Sequence, residues 1–445
     1  MKKLLLKILL PFTILFACLG FAACDKESAI LSAPQNLRAE SEMLYWDGVE
    51  YAEGYTVVID GKAYTATENK FDLSGLNNWN TYRITVRAFN QNGANCSAPA
   101  EIVYEGKCAV PTPGLEYKII SGKKEYAVTK FAVDENGTCI IPSTYRGQKV
   151  TSISPDPEDP AVEKVKHLYL PHTIDDSAFH LDSVRNNFKK FCNLETIDLE
   201  RKGEDDKYVS EGNCIVNQSI ASLSVGCIGS VIPEGIKTIS FYAFFGVNIK
   251  SIALPDSVAV INNSAFADCS LLSEIKFSAT LEVIAFSAFE NCTSLSEISL
   301  PATLKQMIGG AFAGCSALQS VEIPDSVTDA GMTTFRGCTS LKSAKLSEGM
   351  TTIDFGLFSG CSSLTEIMIP RKIANIKGNA FENCPLAEIF YKGTQEDWNK
   401  IEIVETGNEA LFSATLNYYS EEAPTEAGNY WHYVDGVPTK WVYQG

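Results

Sequence analysis

A 23-residue repeat constrains the fold of this chain more than any other feature of its sequence. Between Pro255 and Tyr391 a phenylalanine recurs every 23 residues, and a cysteine follows each one by three positions. The repeated residues are Phe266, Phe289, Phe312, Phe335, Phe358 and Phe381, with Cys269, Cys292, Cys315, Cys338, Cys361 and Cys384. A period of this length is typical of a solenoid, in which each unit buries its apolar face by stacking on its neighbours.

One unit, residues 301–323, indicates what each coil of the solenoid contains. Val321 and Ile323 alternate with Ser320 and Glu322, which predicts a short strand with apolar side chains inward and polar side chains outward. Parallel stacking of these strands would make a curved ribbon, so the fold class is mainly β. The return path is predicted to be lined by Leu304, Ile308, Ala311, Phe312 and Cys315. Glycines along that path favour tight turns over a long helix.

The unit resembles the bacterial BspA-like leucine-rich repeats, whose pattern is LxxIxLPxxLxxIxxxAFxxCxxL. Residues 295–301 (LSEISLP), then Ala311-Phe312 and Cys315, occupy its fixed positions. The resemblance implies a secreted or surface-displayed recognition horseshoe, often adhesive, that carries no catalytic residues. The chain departs from the pattern at Ala330-Gly331-Met332, where isoleucine is expected, and at Thr334, where alanine is expected.

The resemblance also divides the C-terminal part of the chain. Residues 114–160 look like the N-terminal cap that precedes such arrays, and a cap is needed to cover the apolar face of the first coil. The repeat domain is assigned to residues 161–420, with a hairpin insertion at 208–233. Residues 421–445 form a tail, in which a small hairpin turning at Asp435-Gly436 is predicted.

Residues 33–105 have a different pattern, with short alternating strands separated by turn residues. This pattern predicts an antiparallel β-sandwich. The segment resembles a fibronectin type III domain, with Pro34 at its start, Trp46 in its core, and Leu76 six residues before Tyr82 at the tyrosine corner. Such modules are commonly spacers or protein-binding units, and a spacer is favoured here. A stiff linker follows at residues 106–113.

The N-terminus reads as a secretion signal. Residues 1–23 combine a basic start with an apolar core, and Phe21-Ala22-Ala23-Cys24 resembles the lipobox of bacterial lipoproteins. This resemblance implies cleavage before Cys24, lipidation of that cysteine, and a tether at residues 24–32. The alternatives are secretion without a lipid, an uncleaved anchor, or lipidation at Cys18. Lipidation would place the chain on the extracellular face of a bacterial membrane.

Composition excludes several classes of function. The formal net charge is -17, and nucleic acid is not an expected partner because phosphate binding needs a basic face. The chain contains no GxSxG, HExxH, CxxC or phosphate-binding glycine-rich motif, so no catalytic site or cofactor is predicted. We therefore expect a protein that is not an enzyme.

The cysteines and histidines admit chemical and structural interpretations. The repeated cysteines are interpreted as small apolar packing residues, because parallel Cβ vectors suit disulfide geometry poorly. Disulfides joining Cys214 to Cys227, or Cys108 to Cys139, remain open alternatives, as does the state of Cys96. The nearby His167, His172 and His180 are interpreted as surface residues, with a zinc site as the alternative.

The outward side chains of the strands are the candidate binding site. They form an acidic, hydroxyl-rich surface that is predicted to be concave and to become apolar toward its C-terminal end. The candidate ligand-binding residues are Glu274, Lys276, Glu297, Glu322, Lys345, Glu366, Met368, Glu388 and Phe390. The hypothesis is recognition of a protein or glycan on a host or neighbouring cell. The alternatives are a structural envelope protein, a polysaccharide-capturing accessory lipoprotein, and a polar face that only maintains solubility.

Overall fold

The computed structural model describes most of the chain. It covers residues 31–40, 43–59, 61–73, 76, 81–90, 95–105, 111–179, 181–200 and 206–442. The predicted signal segment, Cys24, Cys108 and His180 lie outside these residues. The chain divides into two compact units, residues 1–109 and 110–445. Within the described ranges no helix has the length and apolar character needed to cross a bilayer.

The N-terminal unit contains two antiparallel sheets. Its strands are β1 (Arg38–Glu40), β2 (Met43–Tyr45), β3 (Gly54–Ile59), β4 (Lys62–Ala66), β5 (Lys70–Asp72), β6 (Thr81–Asn90), β7 (Asn95–Cys96) and β8 (Ala100–Glu105). One sheet has the order β1-β2-β5; in the other, β3 lies between β4 and β6, and both β7 and β8 pair with β6. Trp46 is buried with its ring edge-on to Tyr55 at a centroid distance of 5.0 Å. The strands are antiparallel, as expected, and the assignment as a fibronectin type III sandwich stays a prediction.

The cap of the second unit contributes both a sheet of its own and the first strand of the ribbon. Its strands are β9 (Glu116–Ile119), β10 (Tyr126–Lys130), β11 (Thr138–Ile140), β12 (Thr144–Tyr145) and β13 (Gln148–Ile153). The sheet order is β12-β13-β10-β9, and β11 lies outside it. Val128, Ile141 and Val150 are buried together with Leu168 of the first coil, so the cap closes the apolar end of the array.

The first coils are followed by an insertion that has more strands than the sequence predicts. The elements are β14 (His167–Leu170), α1 (Leu181–Phe188), β15 (Thr196–Leu199), β16 (Tyr208–Glu211), β17 (Cys214–Asn217) and β18 (Ser222–Val225). Strands β11, β14 and β15 are parallel. The antiparallel pair β17 and β18 confirms the predicted hairpin, and β16 adds a third strand to it.

The repeats form two ribbons of short parallel strands. The strands are β19 (Thr238–Ile239), β20 (Ser251–Ala253), β21 (Val260–Ile261), β22 (Glu274–Lys276), β23 (Val283–Ile284), β24 (Gln306–Met307), β25 (Ser320–Glu322), β26 (Ser343–Lys345), β27 (Thr352–Ile353), β28 (Glu366–Ile369), β29 (Asn375–Ile376) and β30 (Glu388–Tyr391). One ribbon holds β20, β22, β25, β26, β28 and β30, and the other holds β19, β21, β23, β24, β27 and β29. Most coils thus have two short strands.

The C-terminal segment continues both ribbons. Its elements are α2 (Gln395–Trp398), β31 (Glu402–Ile403), α3 (Glu409–Ser413), β32 (Thr415–Tyr419), β33 (Tyr430–Val434) and β34 (Val437–Lys440). Strand β31 pairs with β29, and β32 pairs with β30. The predicted hairpin is confirmed: β33 and β34 are antiparallel, with positive φ at Asp435 and Gly436. Because β33 also pairs with β32, the tail extends the repeat sheet.

The repeated phenylalanines form one continuous stack. From Phe244 to Phe381 successive ring centroids lie 4.8 to 5.7 Å apart, and the ring planes agree within 14°. The rings are buried. Each ring therefore packs on the coil before it and the coil after it, which is the dependence between units that the period predicts.

The cysteines do more than fill space. Each thiol donates a hydrogen bond to the carbonyl oxygen of the phenylalanine in the preceding coil, for example from Cys292 to Phe266 at 3.1 Å. The six bonds span 2.9 to 3.3 Å. The thiols are free and buried, which confirms their interpretation as packing residues. Burial raises the pKa of Cys269 and of Cys315 to about 12.

Left-handed turns on either side of each phenylalanine set the shape of the return path. The two series of left-handed residues are Ser264, Ser287, Gly310, Thr333, Gly356 and Asn379, then Asp268, Asn291, Gly314, Gly337, Gly360 and Asn383. Their φ angles run from 52° to 76°. Small polar residues and glycine tolerate this conformation best. Because a right-handed helix cannot pass through such residues, the return path is a series of turns.

One detail of the predicted core needs correction. Ile308, expected in the return path, is exposed, and Met307 occupies the buried position instead. In the next coil Ala330 fills the corresponding position. Thr334 is also buried, and its hydroxyl donates a hydrogen bond to the carbonyl oxygen of Ala330. The hydroxyl is therefore satisfied within its own turn, so that a buried threonine is accommodated where alanine is expected.

Candidate binding face

Parallel pairing places the predicted binding residues in two columns, which we call the strand face. The first column contains His167, Thr196, Ser251, Glu274, Ser320, Ser343, Glu366 and Glu388. The second column contains Tyr169, Asp198, Ala253, Lys276, Glu322, Lys345, Met368 and Phe390. The ribbon is not continuous, because these strands belong to three separate sheets.

Most of the predicted binding residues have side chains open to solvent. Glu274, Lys276, Glu297, Glu322 and Glu366 are exposed. The inward positions between them are buried, as at Ile275 and Val321. The face therefore offers carboxylates, hydroxyls and amines at the spacing of parallel strands, about 4.8 Å. Such a surface suits a ligand that makes many polar contacts over an extended length.

Two charged side chains on the strand face pair with each other. Lys345 forms an ion pair with Glu322 of the preceding strand. The hydrogen bond from this ammonium group to the Glu322 carboxylate raises the pKa of Lys345. Both side chains are partly solvated, so the pair contributes little to stability. Its consequence is that Glu322 is less available to a ligand than Glu274 or Glu297.

The C-terminal end of the face is covered, which corrects the expectation of an open apolar end. Met368 and Phe390 are buried. Trp431 of β33 packs edge-on to Phe390 at a centroid distance of 5.6 Å, and its indole nitrogen donates to the Tyr391 carbonyl oxygen at 3.0 Å. The hydroxyl of Tyr433 lies 3.2 Å from the Met368 sulfur. Neither Met368 nor Phe390 is accessible to a ligand while the hairpin is in place.

Glu388 also contacts the C-terminal segment that covers Met368 and Phe390. Its carboxylate pairs with Lys440 of β34 at 2.5 Å and accepts a hydrogen bond from Asn417 at 2.8 Å. The predicted binding residues thus fall into an open group from Glu274 to Glu366 and a covered group of Met368, Glu388 and Phe390. The sequence pattern identified the hairpin but not its contact with residues about 65 positions earlier.

The face is also interrupted at residues 296–300, where the structure has no strand. Neighbouring coils are joined by bonds such as Leu254 N to Lys276 O and Ile323 N to Lys345 O, both at 2.9 Å. The described backbone bonds do not include the equivalent bond from Phe277 to Ser299. The predicted residue Glu297 therefore lies on an irregular segment.

The interruption lies beside Phe277, whose side chain is larger than its equivalents in the adjacent coils. This side chain occupies the inward position that is leucine in the adjacent coils, at Leu254 and Leu300. Its ring meets Phe289 edge-on at 5.7 Å. Overfilling a packed core displaces the surrounding backbone. Ile298 and Leu300 are only half-buried, whereas the equivalent residues of other coils are buried, which is the arrangement expected if Phe277 overfills the core here.

The histidines and the remaining cysteines have local partners. His167 hydrogen-bonds Thr196 at 2.9 Å, and His172 lies 2.6 Å from Glu200. Within the described residues no group of three or more His, Cys, Asp or Glu could hold a metal ion. Cys214 and Cys227 are free thiols that donate to backbone carbonyl oxygens. The two cysteines therefore form no disulfide in this structure.

Fold and face together define a leucine-rich-repeat solenoid with a polar strand face. Residues 226–313 and 300–401 match the family model of the BspA type leucine rich repeat region, in six copies. Residues 226–401 are thus similar to repeats of the BspA type, in agreement with the resemblance seen in the sequence. Among curated proteins, none matches the sequence significantly.

Several solved structures are similar to this chain at low identity. The pneumococcal vaccine antigen PcpA is 16% identical, with 67% of this chain and 96% of that chain covered and a TM-score of 0.39. A leucine-rich repeat protein from Bacteroides ovatus is 19% identical, with coverage of 70% and 94% and a TM-score of 0.37. A leucine rich cell surface protein from Faecalibacterium prausnitzii is 19% identical, with coverage of 66% and 97% and a TM-score of 0.33. Identities this low leave function to be argued from the residues of this chain.

Proposed function

We propose that this protein is a non-catalytic cell-surface binding protein that recognises a protein or glycan ligand through the open part of its strand face. The observation that carries the proposal is the pair of aligned columns, in which Glu274, Lys276 and Glu366 face solvent. A solenoid presents such columns as one extended surface, and many weak polar contacts along it add to a specific interaction.

The proposed location is the outer face of a bacterial membrane. Its support is the signal-like segment at residues 1–23 and the lipobox-like sequence ending at Cys24. Residues 33–105, proposed to be a fibronectin type III domain, would act as a spacer between the anchor and the repeats. A Cys24→Ser variant is expected to leave the membrane fraction, and its retention there would contradict lipid anchoring.

The binding proposal is tested with the chain from Asp25 to Gly445, which omits the predicted signal segment and the lipidated cysteine. This protein would be applied to an array of matrix proteins, mucins and polysaccharides. The test variant combines Glu274→Lys, Glu297→Lys and Glu366→Lys. Because each change reverses a charge on the open face, we expect selective binding to fall by at least tenfold, about 1.4 kcal/mol.

The matched control combines Glu234→Lys, Glu402→Lys and Glu405→Lys. These glutamates are exposed and lie off the strand face, so the control has the same net charge as the test variant. Equal loss in both variants would indicate a nonspecific charge effect. Absence of binding, or binding indifferent to the face, would favour a structural role in the envelope.

A further inference from the structure

The C-terminal hairpin, β33 and β34, is not needed to close the main core of the repeats. The buried cluster that contains the phenylalanine stack extends to Leu411 of α3, and Leu416 and Tyr418 of β32 pack against it. Among the described residues, none of β33 or β34 belongs to that cluster. The position of the hairpin on the strand face therefore needs an explanation other than closure of the core.

The hairpin forms a separate apolar cluster on the outer side of the sheet. Trp431 packs there with Met368 and Phe390, and Tyr419 and Tyr433 border the three. Met368 and Phe390 belong to the second column of the strand face, in the same register as the open positions before them. The hairpin thus occupies a part of the proposed binding surface.

A short pairing and an irregular connector attach the hairpin to the array. The pairing of β33 with β32 comprises two residue pairs, Tyr418 with Tyr430 and Tyr419 with Trp431. The connector, residues 421–429, contains neither helix nor strand, and nearly all of its residues are exposed. Movement of the hairpin would therefore uncover the strand face and leave the main core closed.

The hairpin meets the strand face with the groups that a bound polypeptide would supply. Lys440 forms an ion pair with Glu388 of the first column, and both side chains are partly solvated, so an external cation can replace Lys440. Trp431 and Tyr433 are two residues apart on β33, so their rings lie on the same side of the strand, over the second column. Lys440 is opposite Trp431 in the hairpin, which places the ammonium group beside these rings. The face thus accepts one basic and two aromatic side chains from an extended polypeptide.

From these contacts we infer that the hairpin is a displaceable strap, which occupies the C-terminal part of the strand face as an internal ligand. The partner that replaces it is a polypeptide segment with two aromatic side chains, two residues apart, and a neighbouring basic side chain. The inference rests on the proposed binding function and specifies its ligand class and its regulation. Because the partner and the strap compete for Met368, Glu388 and Phe390, the apparent affinity is the intrinsic affinity multiplied by the fraction of molecules whose strap is open.

The strap is tested with a synthetic, fluorescently labelled peptide of residues 429–442 and the chain from Asp25 to Gly445. In the chain, Trp431→Ala removes the buried anchor of the strap, and Lys440→Glu reverses the charge of a partly solvated ion pair. We expect each variant to bind the peptide about tenfold more tightly than the unsubstituted chain, because its site is open more often. Fluorescence anisotropy measures the binding.

Two controls match this comparison. Phe286→Ala removes an exposed ring on the return path and should bind the peptide as the unsubstituted chain does. A peptide with Trp431→Ala lacks the ring that fills the site and should bind the opened variants about tenfold more weakly. Peptide binding that is equal in the unsubstituted chain and both opened variants, or absent from all of them, would overturn the inference.

The array of matrix proteins, mucins and polysaccharides separates this inference from the proposed function. A polypeptide that binds the strand face is expected to bind the Trp431→Ala and Lys440→Glu variants about tenfold more tightly than the unsubstituted chain. Array binding that is unchanged in these variants, or confined to glycans, would overturn the inference and leave the proposed function standing. Peptide binding to the opened variants without any array ligand would support the strap and count against the proposed function.

Discussion

The two sides of each coil differ in how strictly they repeat. On the phenylalanine side the rings from Phe244 to Phe381 stack without interruption. On the strand side the same coils belong to separate sheets, with a break at residues 296–300. This difference indicates that the stacked rings and the thiol hydrogen bonds hold successive coils together, while the strand side tolerates changes in sequence and in strand pairing. A binding surface can therefore change without loss of the fold.

The largest effect is expected from a change on the regular side. Phe312→Ala removes a fully buried ring from the middle of the stack. We expect the free energy of unfolding to fall by about 3 to 5 kcal/mol, because the cavity would break contacts with two coils. Urea unfolding followed by circular dichroism measures this change.

The matched control is Phe412→Ala, since Phe412 is 61% exposed. It should change the free energy of unfolding by less than about 0.5 kcal/mol. If both variants lose the same stability, the stack does not carry the array, and the comparison between the two sides fails.

An intermediate effect is expected from pH. Burial raises the pKa of Cys269 and Cys315 to about 12 in the folded protein, whereas a thiol in the unfolded chain ionises near pH 8.5. The stability from these protonated thiols is thus fully present below about pH 8.5 and is lost as pH rises toward 12. We expect a loss of about 1 to 2 kcal/mol per thiol at pH 10.

Unfolding in urea at pH 7.5 and pH 10 checks this prediction. A Cys269→Ala/Cys315→Ala variant is the control, because it lacks two of the thiols that titrate. Its stability should decline less between the two pH values than that of the unsubstituted chain. The same decline in both proteins would show that other groups dominate.

The smallest effect is expected on the irregular side. Phe277→Leu replaces the oversized ring with the residue found at Leu254. The backbone hydrogen bond from the amide of residue 277 to the carbonyl oxygen of Ser299 should then form, and amide hydrogen exchange near Ile298 should slow about tenfold. The free energy of unfolding should change by at most ~1.5 kcal/mol. Leu254→Phe is the reciprocal variant and should loosen the pairing of β20 with β22. Unchanged exchange in both would remove Phe277 as the cause of the break.

Sequence reasoning succeeded where a pattern repeats and failed where a single residue acts at a distance. Phenylalanine and cysteine positions were predictable because every coil supplies the same contacts. The break at Ile298 was not, since residues 295–301 carry the full repeat pattern and nothing in them signals a loss of strand pairing. The cover over Met368 and Phe390 was also missed, because strand periodicity cannot show that Trp431 folds back over them. The open part of the candidate face was predicted from alternation alone.

The hairpin of β33 and β34 has a consequence for the growth of the array. Parallel coils can in principle stack without limit, and an uncovered last strand would template the next molecule into a fibre. Strand β34 reverses direction and carries Pro438, which has no N–H to donate, and Lys440. Such an edge opposes further strand addition. The array can therefore lengthen during evolution by duplication of internal coils, while the end of the ribbon that carries the strand face stays closed to strand addition.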